Sequence, residues 1–157
     1  MPVRIAKIIL VATVAVWGLW GGLGNLIGYA SGYEQVRDVI SMQSLEQPMP
    51  WALQNPIFAH LGFAFIWALK LIGGAMCALG AIRMWRCSDA SADVFQTAKT
   101  WAIVGCAMIF FMMFAGFNLL ASNVFMAFRS PAIGAIELSW VFAGEVGLVL
   151  LFLAMRE

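Results

Sequence analysis

The chain has 157 residues, 63% of them hydrophobic and 11% charged, with a formal net charge of +1. Soluble globular domains carry about 25% charged residues, so this composition excludes that class and leaves the lipid bilayer as the expected surroundings. A near-neutral balance offers nothing to attract nucleic acid, and the length gives one domain, 1–157.

A bilayer has a hydrocarbon core about 30 Å thick, which a helix of roughly 20 apolar residues crosses. Four stretches meet that length: about 5–27, 57–84, 94–121 and 133–155. They are continuous rather than alternating, which excludes a β-barrel and leaves helices to satisfy the backbone in lipid. The expected fold is all-α, a polytopic four-helix transmembrane bundle with a short interfacial amphipathic helix on the outer side.

The first run has a basic start, Arg4 and Lys7, but its apolar core is longer than the 7–15 residues of a secretory signal, so it is expected to stay as a span. It contains two G-x-x-x-G spacings, Gly18/Gly22 and Gly24/Gly28, which suit close helix packing. The outer loop, 28–56, holds "YEQVRDVISMQSL" (33–45). Tyr33, Val36 and Ile40 fall there at helical spacing opposite Glu34, Arg37 and Asp38, which predicts the amphipathic helix. "EQPMPWALQNP" then breaks the helix and sets Trp51 at the interface. The inner connection "RCSDASADVF" (86–95) offers Ser88 or Ser91 as the N-cap of the third span, with Asp89 and Asp93 near its positive end.

Lysine and arginine placement sets orientation. With the N-terminus inside, Arg4, Lys7, Arg83, Arg86, Lys99 and Arg156 collect on the cytoplasmic side, against Arg37 and Arg129 outside. Both termini are expected to be cytoplasmic, in a multi-pass membrane protein.

Polar residues inside the apolar segments are the functional lead, because a charge near the bilayer centre costs at least about 2.5–3.5 kcal/mol. Lys70 and Glu145 each lie 14 residues inward from a proline, Pro56 and Pro131, on spans running the same way. They are expected at similar depth, as an ion pair, the alternative being Lys70 alone in a wet cavity or deprotonated. His60, Glu137, Asn25 and Asn118 form a second level nearer the outer face, one from each span. They read as a hydrogen-bonded tie between helices or as a polar vestibule leading to Lys70 and Glu145.

No cofactor or metal is expected. One histidine cannot supply bis-histidine haem, and Met76, Met108, Met112 and Met113 read as packing filler rather than axial ligands. A His60–Glu137 metal site lacks further ligands. Cys77, Cys87 and Cys106 form no C-x-x-C. No serine elbow, P-loop, dinucleotide fingerprint or zincin motif appears, so no catalytic residue is assigned.

"NLIGY" (25–29), "VRDVISM" (36–42), Trp51, the Pro56-to-His60 helix start, "GAIRMWR" (80–86), Glu137 and "GLVLLFL" (147–153) together resemble a family of predicted small integral membrane proteins of bacteria, domain of unknown function 2165. The resemblance spans nearly the whole chain. It implies four membrane helices in a bacterial inner membrane and carries over no catalytic or binding residue. Three functions stay open. The foremost is an interaction or accessory subunit, or scaffold, that binds other membrane proteins or itself. The others are an oligomeric transporter or channel protomer with a buried polar path, and a membrane electron carrier or enzyme.

Overall fold

The computed structural model describes residues 1–131 and 133–156. No strand occurs among them. The order is α1 (Pro2–Ile27), α2 (Tyr29–Ser41), α3 (Pro56–Arg86), α4 (Ala92–Ala98), α5 (Thr100–Phe111), a π-helical segment (Met112–Val124), a 3₁₀ turn (Ala127–Arg129) and α6 (Ile133–Ala154). Among the described residues four helices are long and apolar enough to cross a bilayer: Pro2–Ile27, Pro56–Arg86, Ala92–Val124 and Gly134–Ala154. The third therefore joins α4, α5 and the π-helical segment into one span.

Helix α3 is the centre of the bundle, because it presents residues without bulk to two neighbours. Toward α1, a Cβ on Gly18 would lie 3.0 Å from the Gly74 Cα and 3.0 Å from the Lys70 carbonyl oxygen. Toward α5, a Cβ on Gly105 would lie 2.6 Å from the Gly73 oxygen and 2.7 Å from the Cys77 nitrogen, and one on Gly80 would strike the Ala102 backbone. In lipid no hydrophobic force drives helices together, so such close backbone approach is what holds them. Around these crossings Val11, Cys77, Met84, Phe95, Ala102, Cys106, Ile109 and Leu153 form the tightest core.

Ionic contacts fasten the same end. Lys7 and Lys99 are both buried, and their Nζ atoms donate to the Met155 carbonyl at 2.8 and 2.9 Å. Arg4 donates to the carbonyls of Ser88 and Ala90 at 2.8 and 2.6 Å and lies over the Phe95 ring. The basic residues that orientation rules place inside thus also close the bundle. Ser91 is the N-cap of α4, with Asp93 in the first turn, although the Ser91 side chain makes no capping bond.

The opposite end is built differently. At Gly28, with φ −91° and ψ 31°, α1 gives way to α2, and α2 turns onto α3. Helix α2 starts four residues earlier than the expected Tyr33 and stops at Ser41, capped by Met42 at φ 54°. The loop beyond α2 is held by Trp51, whose Nε1 donates to the Val124 carbonyl at 3.1 Å. Helix α3 starts on Asn55, whose side chain accepts from the Ile57 N–H at 3.0 Å, with Pro56 in the first turn.

Candidate functional site

Between α1, α2, α3, the π-helical segment and α6 lies a cavity of about 560 Å³, in the half of the bundle opposite the chain termini, the outer half of the expected orientation. That volume falls within the roughly 300–1,000 Å³ of small-molecule sites. Its walls are mostly apolar and strongly aromatic, with Trp17, Phe58, Phe63, Phe65, Phe117, Phe125 and Phe142. Helix α2 forms one side with Ser31, Gln35, Val36 and Val39. The lining includes outward-facing Leu120 and Leu138, so the space reaches the surface of the bundle.

The π-helical segment explains why there is space. Its i→i+5 winding is wider than that of an α-helix, and such windings cluster at functional sites. Met113, Gly116, Phe117, Leu120 and Ala121 from this segment line the cavity.

Lys70 is the one charged side chain in the lining among the described residues. Its Nζ lies 5.3 Å from the centroid of the Trp17 ring. A Cβ on Gly21 would come within 3.8 Å of the same Nζ, an ordinary contact that puts the ammonium alongside α1. No carboxylate lies within 4 Å of Lys70, and no hydrogen-bond acceptor is in reach among the described residues.

The expected Lys70–Glu145 pair is therefore not formed. Helix α6 buries Ile136, Ser139, Ala143, Val146 and Leu153, a 3-4-3 repeat that fixes which face meets the bundle. Glu137 and Glu145 fall on the other face and point outward. Residue counts give a position along each helix and say nothing about which face a side chain takes.

Nor does the outer polar level converge. Asn25 lines the cavity, half-buried. His60 instead shares a 2.8 Å hydrogen bond between Nδ1 and the Tyr29 hydroxyl, and stacks on Tyr33 with centroids 4.3 Å apart. Helix α2 takes the histidine, since it packs directly on α3. Asn118 sits in the π-helical segment, where an α-helical wheel misplaces side chains, and its carbonyl accepts from the Asn123 Nδ2 at 2.6 Å. The glycines divide as well. Gly18 and Gly22 face α3, with a Cβ on Gly22 meeting Leu71 at 2.6 Å. Gly24 has open space around it, and Gly28 meets only its own helix at the α1–α2 junction.

Three features escaped the sequence reading. Trp17 and Gly21, one helical turn apart, form the seat of Lys70; their i, i+4 spacing was the available signal. Lys7 belongs to the buried stripe Val11, Val14 and Gly18, and only its charge drew notice. The i→i+5 winding had no signal at all. Chemically, the site is an apolar chamber with one cation at its deep end. Below Lys70 the Gly18–Gly74 and Gly73–Gly105 crossings bring α1, α3 and α5 backbone to backbone.

No curated protein and no solved structure matches this chain. A family model described as predicted small integral membrane protein (DUF2165) matches residues 3–156, and the chain belongs to that family.

Proposed function

We propose that this protein is an accessory subunit, or scaffold, of a bacterial inner membrane, with both termini cytoplasmic, that docks another membrane protein along the outward face of α6. One observation carries the reading: Glu145 faces outward in the middle of α6, a helix apolar enough to cross a bilayer. It lies ten residues above Met155, whose carbonyl marks the level of Lys7 and Lys99, and ten residues of helix rise about 15 Å, half the hydrocarbon thickness. An ionised side chain there costs at least about 2.5 kcal/mol in lipid, and a basic partner offsets that cost. Glu137, Trp140, Val141, Gly144, Glu145 and Leu148 form a continuous outward row with it.

The row calls for a transmembrane helix bearing a lysine, arginine or other strong donor at mid-depth. A second copy does not supply a basic residue there. Lys70, the chain's own basic residue at that depth, is turned into the cavity, and residues 101–124 contain no charge. The orientation is supported by the basic residues gathered at the Arg4, Lys7 and Lys99 end.

The test places a photoreactive amino acid at Val141 or Leu148, and as a control at outward-facing Val16 on α1, in cells expressing the protein at native level. A heterologous adduct formed from the α6 positions, absent from the control, and lost in Glu145→Leu but retained in Glu145→Asp, is the expected result. Adducts between copies of this chain alone, or a heterologous adduct indifferent to Glu145→Leu, would overturn the reading.

A further inference from the structure

We propose that the outer-half cavity is a binding site for an amphiphile with an apolar body and one anionic head group, the head seated on Lys70. This is independent of the α6 reading, since it concerns the interior of the bundle.

Lys70 is out of balance with its surroundings. A lysine deep in a membrane bundle normally pairs with a carboxylate, reaches a carbonyl, or snorkels to water. Lys7 and Lys99 in this same chain both reach the Met155 carbonyl. Lys70 does none of these. It lies 14 residues, or about 21 Å, from the outer start of α3, and what it has is the face of Trp17 and an open chamber. A cation over an indole gains about 0.5–2 kcal/mol, less than the cost of its burial near the membrane centre. The two glutamates that could neutralise it are turned outward.

The chamber tells what else the ligand is. Its wall is apolar over most of its extent, and Phe65 and Phe142 flank the deep end. Asn25 and Gln35 lie toward α2, so a second, weaker polar group can be met there. A free inorganic anion would leave the apolar wall unused. A neutral lipid would leave the ammonium unused. A long-chain carboxylate, or a phosphate carrying a single chain, uses both, and its charge-assisted bond to an ammonium is of the strong kind.

The experiment uses the full chain in phosphatidylcholine nanodiscs, titrated with cis-parinaric acid and, separately, with its methyl ester, followed by fluorescence. The acid is expected to bind about tenfold tighter than the ester, a ratio worth about 1.4 kcal/mol. Lys70→Met should abolish that preference and Lys70→Arg should keep it. Ala121→Phe, which fills the chamber and leaves the charge, should weaken both ligands. Competition by a lysophosphatidic acid of equal chain length tells the sources apart: displacement assigns a phospholipid-type head, and its failure assigns the carboxylate. Equal binding of acid and ester, a preference that survives in Lys70→Met, or binding unaffected by Ala121→Phe would each overturn the proposal. Thermal unfolding of every variant separates lost binding from lost fold, and the Arg and Phe variants keep the test decisive should Lys70→Met fail to assemble.

Discussion

The two halves of the bundle solve the same problem in opposite ways. In the inner half, three helices meet backbone to backbone over Gly18, Gly73, Gly74, Gly80 and Gly105, and two buried lysines end on one carbonyl. In the outer half, the third span unwinds into i→i+5 geometry, a thirteen-residue helix folds over the opening, and a third lysine is left facing space. A membrane protein gains stability from packing rather than from the hydrophobic effect between helices. The inner half is therefore the part that holds the molecule together, and the outer half is free to carry a ligand.

The comparison breaks first at the tightest glycine. Gly105→Leu drives a side chain into the Gly73 oxygen and the Cys77 nitrogen, backbone atoms that cannot move independently of their helix. The expected loss is about 3 kcal/mol or more, read as a collapse of the denaturant midpoint in detergent. Next in size is Lys99→Met. It removes a charged donor from the Met155 carbonyl, and hydrogen bonds to charged groups are worth about 1.5–3 kcal/mol. Unfolding should come at lower denaturant by about 2 kcal/mol. A midpoint unchanged in either variant would mean that the inner half does not dominate stability.

How much of this was legible in the sequence follows from the same contrast. Span number and ends came through well, since length and apolarity set them directly: about 57–84 against Pro56–Arg86, and about 5–27 against Pro2–Ile27. The amphipathic pattern at 33–45 found α2 but missed its start, because Tyr29 to Gly32 carry no distinct periodicity and continue from α1 across Gly28. The site fared worse. Counting residues gives a position along the helix, but the face Lys70 shares with Trp17 and Gly21 depends on how α1 and α3 cross. Glu145 was misplaced although Ile136, Ser139, Ala143, Val146 and Leu153 already spelled the buried face of α6. Asn118 could not be placed, since no residue pattern announces a π-helical winding.

The third prediction sharpens the comparison by making one substitution type change sign. Lys70→Met takes a cation away from the membrane interior and loses only its contact with the Trp17 ring. Removing an insertion cost of about 2.5–3.5 kcal/mol against a cation–π gain of about 0.5–2 leaves the empty protein roughly 0.5–3 kcal/mol more stable. Lysine to methionine thus destabilises at the inner end and stabilises in the outer half, both read by the same denaturant titration. A loss of stability at Lys70 would mean that the ammonium has an internal partner and that the outer half is no more open than the inner.

The smallest effect concerns Gly24, which lines the cavity and has nothing within 4 Å of where a Cβ would stand. Glycine inside a helix leaves more freedom to the unfolded chain than alanine does, at about 0.5–1 kcal/mol. Gly24→Ala is therefore expected to raise stability by about 0.5 kcal/mol, visible as a slightly later thermal transition. The neighbouring spacing gives the control: at Gly22, one helical turn beyond Gly18, an added methyl meets Leu71 at 2.6 Å and its backbone nitrogen at 3.1 Å. The same change there must push α1 off α3, so its sign is reversed. If both variants lower stability, α1 packs against something along Gly24 as well, and the outer half is closed in the membrane by a neighbour that this single chain does not contain.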